Sequence, residues 1–178
     1  MNVDIRCTEC GNHNPTSPSI TTCDACGGTL EVVPGIPVTH KLIVSLGEGN
    51  TPVVRLSGIG KLLGVNSIYG KLEFMNPTGS CKDRGSATLV SILKEHHIVN
   101  VAEDSSGNAG ASIAAFCAKA EINATIFVPS SAPPSKLDQI SFYGATIKKV
   151  NGGREAVTRA CKNFCREENI VYASHNLS

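Results

Sequence analysis

The chain has 178 residues, which fits one domain or one domain plus a small module and buries about two-thirds of the unfolded surface. Hydrophobic residues make up 41%, charged ones 17% and aromatics 4% with no Trp, so Ala, Val, Ile and Leu must build the core, as in an α/β protein. A formal charge of +1 excludes a broad phosphate-binding face, and neither a signal peptide nor an apolar run of about eighteen residues occurs, so a cytoplasmic protein with no nucleic-acid and no membrane partner is expected.

The first feature along the chain is a pair of Cys-x-x-Cys knuckles, Cys7/Cys10 and Cys23/Cys26, separated by twelve residues and each followed by glycine. Four thiolates suit tetrahedral zinc, and glycine lets the backbone turn tightly around a metal. Four unrelated thiols or two disulfides are the alternative. Residues 1–30 carry Arg6 against Asp4, Glu9 and Asp24, and four thiolates around Zn²⁺ make the segment more anionic still. A structural or interface role is expected, not nucleic-acid reading. His13 lies between the knuckles and reads as a solvated loop residue.

A β-like run, Leu30 to Val33, leads into Pro34-Gly35-Ile36-Pro37, where the boundary between a zinc ribbon (1–33) and a larger α/β unit (34–178) is placed. Strands are predicted at Ser67–Glu73, Val99–Asp104, Ala124–Pro129, Thr146–Val150 and Ile170–Ala173. Helices are predicted at Lys82–His97, Asn108–Ala120, Pro133–Tyr143 and Gly153–Glu168. Such alternation implies βαβ units and a parallel sheet, whose ligands sit at the carboxyl ends of the strands. Cys117, Cys161 and Cys165 fall on apolar helix faces and read as core residues.

Two glycine-bearing loops follow strands and open helices: Asn76 to Gly85, and Ser105-Ser106-Gly107-Asn108-Ala109-Gly110. Free N–H groups at helix starts bind anions. Lys82 lies in the first helical turn, where the dipole disfavours a cation by up to about 1 kcal/mol. A lysine so placed is held toward the neutral amine that attacks aldehydes. The alternative is an exposed lysine balanced by Asp83.

The segment Lys71-Leu72-Glu73 with Asn76-Pro77-Thr78-Gly79-Ser80-Cys81-Lys82-Asp83-Arg84-Gly85 resembles the lysine motif of the pyridoxal-phosphate enzymes of the tryptophan-synthase-β fold type (fold type II). Upstream, Gly47-Glu48-Gly49-Asn50-Thr51-Pro52-Val53-Val54-Arg55-Leu56 resembles a motif of the threonine synthases in that group, some of which carry a ribbon. The resemblance implies that Lys82 holds pyridoxal 5′-phosphate and moves the substrate's α-proton, and that Asn108 hydrogen-bonds the ring oxygen. It also implies that Ser105, Ser106, Gly107, Asn108 and Ala109 receive the carboxylate of a small amino-acid substrate.

The activity implied is that of a lyase converting O-phosphohomoserine to threonine. A Ser/Thr dehydratase, a β-replacing enzyme of the cysteate synthase kind and a non-catalytic ribbon module are the alternatives. The chain departs from threonine synthases at Cys81, where they usually carry Phe, and at Ser106 and Asn108-Ala109. Cys81 reads as a small packing residue. Members of this group have two α/β lobes and well over three hundred residues, so the expectation is an N-terminal fragment or split-gene product. A homodimer or a complementing C-terminal fragment is the partner expected.

Overall fold

The computed structural model describes residues 5–15, 20, 22–32 and 43–174. In chain order the elements are β1 (Ile5–Cys7), β2 (His13–Asn14), β3 (Leu30–Val32), β4 (Val53–Arg55), α1 (Ser57–Leu63), β5 (Tyr69–Lys71), a 3-10 turn (Glu73–Met75), α2 (Lys82–Glu95) and β6 (Asn100–Glu103). They continue as α3 (Asn108–Ala120), β7 (Asn123–Pro129), α4 (Pro134–Phe142), β8 (Thr146–Val150), α5 (Arg154–Glu167) and β9 (Val171–Tyr172). The predicted Pro34–Pro37 connector and Val33 lie outside the described residues.

The main sheet has four strands in the order β8-β7-β6-β9, and its strand pairs run parallel, as the βαβ pattern requires. Successive side chains on a strand face opposite sides, so alternate residues feed two cores. Val101, Ala124, Ile126 and Val128 pack with α2, α3 and α4, whereas Ala102 and Phe127 pack with Val157, Cys161 and Cys165 of α5. Both faces are covered, which is why β7 reads as an almost unbroken apolar run. Helix α3, wedged between the sheet and its neighbouring helices, buries residues 109–117 without interruption. Helix α5 buries one stripe, Val157, Cys161 and Cys165, at spacings of four residues. Cys117, Cys161 and Cys165 are thus core residues, as expected, and burial pushes the Cys117 thiol up to about 12.

The arm before α2 differs from its prediction. The strand placed at Ser67–Glu73 shrinks to Tyr69–Lys71 and pairs antiparallel with Val53–Arg55, apart from the parallel sheet. Glu73 starts a 3-10 turn instead of ending a strand. Helix α1, unpredicted, ends where Gly64 takes φ +65° and donates its N–H to Gly60 and Lys61. Helix α2 stops at Glu95 rather than His97, because His97 adopts φ +55°. Among the described residues no helix is long and apolar enough to cross a membrane.

At the N-terminal end, β2-β1-β3 form a small antiparallel sheet. His13 is exposed, as expected, but it pairs with Arg6 across two strands and is not a loop residue.

Candidate functional site

Helix α2 precedes β6 and α3 follows it, both antiparallel to the strand, so both helix N-termini lie at the carboxyl end of the sheet. Lys82 is the first residue of α2 and Asn108 the first of α3. Both side chains are exposed, and among the described residues neither the Lys82 amine nor the Asn108 amide has a hydrogen-bond or ion-pair partner. Ser105 and Ser106 are half-buried, Gly107 is exposed and Ala109 is buried.

The turn that delivers Lys82 closes with Gly79 N–H on the Asn76 carbonyl (2.8 Å), Gly79 adopting φ +84°. Ser80 Oγ then accepts from the Lys82 backbone N–H at 3.3 Å. At the second loop, a Cβ on Gly110 would lie 2.0 Å from the Ser105 carbonyl oxygen, so the loop packs directly on the α3 backbone and only glycine fits.

Asp83 binds the lysine turn to α3. Its carboxylate is fully buried and accepts from Thr78 N–H (2.7 Å), Thr78 Oγ1 (2.5 Å) and Ser112 Oγ of α3 (2.7 Å). Ser112 Oγ also lies 2.7 Å from Ser86 Oγ. Asp83 is therefore no surface counter-ion for Lys82, contrary to the alternative drawn from sequence. Burial selects hydrogen-bond donors for a carboxylate, and here the lysine turn and α3 supply them. Cys81 also departs from expectation: it is exposed next to Lys82 instead of packing inward.

A second network ties the upstream arm to α2. Arg84 grips Glu73 with two hydrogen bonds, Nε to Oε2 at 3.0 Å and Nη2 to Oε1 at 2.9 Å. Thr51 Oγ1 donates to Glu73 Oε1 (2.8 Å), Asn76 Nδ2 donates to Oε2 (2.9 Å), and Gly49 N–H donates to Asn76 Oδ1 (3.0 Å). The Arg84 guanidinium, then Thr51, hold the Glu73 carboxyl down at about 2. Glu73, Asp83, Arg84 and Ser112 were not identified as site-building residues by sequence reasoning, because their roles come from partners distant in sequence. Glu73, Asp83 and Arg84 lie within the lysine motif without a role of their own there, and nothing in the sequence marks Ser112.

The other cluster is sulfur. One ligand atom from each of Cys7, Cys10, Cys23 and Cys26 lies within 4.8 Å of the others, with Cys7–Cys26 and Cys10–Cys23 sulfur pairs at 3.5 and 3.6 Å. A tetrahedron with metal–sulfur bonds of about 2.3 Å has edges of about 3.8 Å, so these thiols can hold one zinc-sized ion. Both knuckles turn at a glycine with φ +74°, Gly11 and Gly27, whose N–H groups bond the Cys7 and Cys23 carbonyls. Burial pushes the Cys23 thiol up, but the N–H groups of Cys26 and Ala25 outweigh it and bring it to about 6. The Gly28 N–H lowers Cys26, yet the facing Cys10 and Cys7 push it up to about 12. Negative charge on one sulfur opposes charge on the next, a conflict that a dication relieves.

A parallel sheet covered on both faces makes this an α/β protein, and an amine and an amide without partners among the described residues mark the strand ends as the candidate small-ligand site. The family profile described as pyridoxal-phosphate dependent enzyme matches residues 44–177. A threonine synthase of Bacillus sp. (strain ULM1) is 41% identical over 138 residues, covering 76% of this chain and 39% of that protein. A threonine synthase of Methanocaldococcus jannaschii is 31% identical over 201 residues, covering 97% and 49%. The chain spans about two-fifths to one half of these relatives' length.

Among solved structures, a pyridoxal 5′-phosphate-dependent aspartate racemase has TM-score 0.63 at 29% identity, covering 70% of this chain and 39% of that one. Maize serine racemase has TM-score 0.63 at 28% identity, covering 69% and 37%. This chain belongs to the pyridoxal-phosphate-dependent enzyme family, with the fold of type II members. The residues present fit the cofactor: an amine and an amide without partners among the described residues would meet its aldehyde and its ring oxygen, and helix-start N–H groups beside them would meet an anion.

Proposed function

We propose that this chain carries the lysine-bearing part of a lyase site of the threonine synthase kind, acting on O-phosphohomoserine or a closely related small amino acid. The observation that carries the reading is the placement of Lys82 and Asn108 as first residues of two helices braced together by Asp83. Lys82 Nζ holds the cofactor and, once released, takes and returns the proton at the substrate Cα. Asn108 hydrogen-bonds the ring oxygen without adding charge. The Ser105–Ala109 loop orients the substrate carboxylate at the start of α3. Bound pyridoxal phosphate supplies an electron-accepting ring, which makes the Cα–H bond acidic and allows a Cβ or Cγ substituent to leave.

The threonine synthases among the relatives support this substrate class. Similarity to the serine racemase supports serine as the second substrate to try. We place one structural zinc on Cys7, Cys10, Cys23 and Cys26, in a unit divided from the catalytic lobe near residues 33 and 34, and assign the protein to the reducing cytoplasm.

The test is borohydride reduction of the cofactor-loaded full-length protein, followed by peptide mapping and product analysis. Pyridoxyl label on Lys82 and threonine released from O-phosphohomoserine are expected. Label on Lys61, Lys71 or Lys94 would reject the lysine, and turnover of serine alone would reject the substrate.

A further inference from the structure

We propose that Asp104, Arg154 and Thr158 form a brace that positions the Ser105–Ala109 loop and neutralises a buried charge directly behind it. This rests on the reading that the loop receives a substrate carboxylate. Asp104 ends the run that leads from β6 into the loop, and its side chain has no solvent exposure. From the first turn of α5, Arg154 Nη2 lies 3.1 Å from Asp104 Oδ2, and its Nη1 donates to the Asp104 backbone carbonyl. One turn later, Thr158 Oγ1 donates to Oδ2 at 2.5 Å. A single guanidinium thus grips both the backbone and the carboxylate at the point where the strand becomes the loop. The other end of the loop is fixed by the Ser105 carbonyl packed against Gly110. Burial first, and the Asp104 carboxylate after it, push the Tyr172 phenol above its ordinary range.

The electrostatic consequence concerns ligand affinity. A carboxylate arriving at Ser105–Ala109 meets Asp104 immediately upstream, and like charges in a poorly hydrated site repel. Arg154 removes that repulsion. Arg154 and Asp104 are positioning residues, since neither touches the reacting atoms.

Two readouts on the full-length protein test the brace. Amide exchange of residues 105–110, measured without substrate or cofactor, is expected to accelerate about tenfold or more in Arg154→Met. KM for the amino acid is expected to rise about tenfold or more while kcat stays within about threefold. In Asp104→Asn/Arg154→Met, where both charges are gone, most of the KM increase should vanish. Arg154→Lys, the milder variant should Arg154→Met fold poorly, keeps the charge but loses the fork and should show a smaller rise. Unchanged exchange in Arg154→Met, or a double variant no better than the single one, would overturn the proposal. The exchange readout needs no ligand, so it judges the brace even where the lysine mapping fails; that failure bears only on the proposed activity.

Discussion

The four-cysteine unit and the parallel-sheet lobe are held together by different physics. Among the described residues both hydrophobic clusters lie within 44–173 and include no residue of the N-terminal unit. That unit buries Cys7, Cys23 and Asn14, with N–H groups of Glu9 and Gly28 directed at sulfur. It has three strands of two or three residues, too short to form a core. The lobe instead buries Phe116, Ile113, Ile126 and Leu93 completely, each contributing about 1.5–3 kcal/mol. One region gathers four thiols where a core would sit, and the other buries apolar side chains.

Metal removal should break this contrast most strongly. With the proposed zinc on the four thiols, the unit's folding energy would come from metal binding, about 10–16 kcal/mol for structural zinc at neutral pH. Chelation should therefore expose Cys7, Cys10, Cys23 and Cys26 to a thiol reagent while Cys117 and Cys161 stay protected by the sheet lobe. Mass mapping of the labelled cysteines checks this. Simultaneous labelling of all six would show that the two regions fold as one. The next effect runs the other way. Ile126→Ala in the inner strand β7 should cost the lobe about 2–5 kcal/mol in urea unfolding, and the four N-terminal thiols should remain unreactive in the zinc-loaded protein.

The same contrast explains what could be read from sequence. From β6 to α5 the predicted boundaries hold within about two residues, because long helices alternating with apolar strands leave little choice of pairing. The arm from Thr51 to Asn76 did not yield to that logic. Its strands are three residues long, one contains Gly70, and Arg84 ties the residues flanking them, Thr51 and Glu73, from far along the chain. Ser57 and Gly64, flanking an apolar stretch, were the available signal for α1. Lys82, Asn108 and the serine loop were legible because a motif keeps its chemistry in neighbouring positions. Asp83, Glu73 and Asp104 were not, since their partners Ser112, Arg84 and Arg154 lie 29, 11 and 50 residues away.

The smallest expected effect tests how that arm is fastened to the lysine helix. Glu73 is held at about 2, chiefly by Arg84, so its folded value lies below that of an unfolded glutamate near 4.5. A depressed carboxyl contributes its stabilisation fully above the unfolded value and loses it as pH falls through the folded one. The clamp on Thr51, Asn76 and Arg84 should therefore persist at neutral pH and loosen between about pH 4.5 and 2. Because Arg84 and Glu73 are partly exposed, the loosening should be local and not a global unfolding. Amide exchange at Gly49, which donates to Asn76, is the reporter, after correction for the intrinsic pH dependence of exchange. In the wild-type chain, protection there should fall over this acid range. Glu73→Gln should start with lower protection at pH 7 and show no such acid step. An acid step that survives in Glu73→Gln would assign the fastening to another carboxylate.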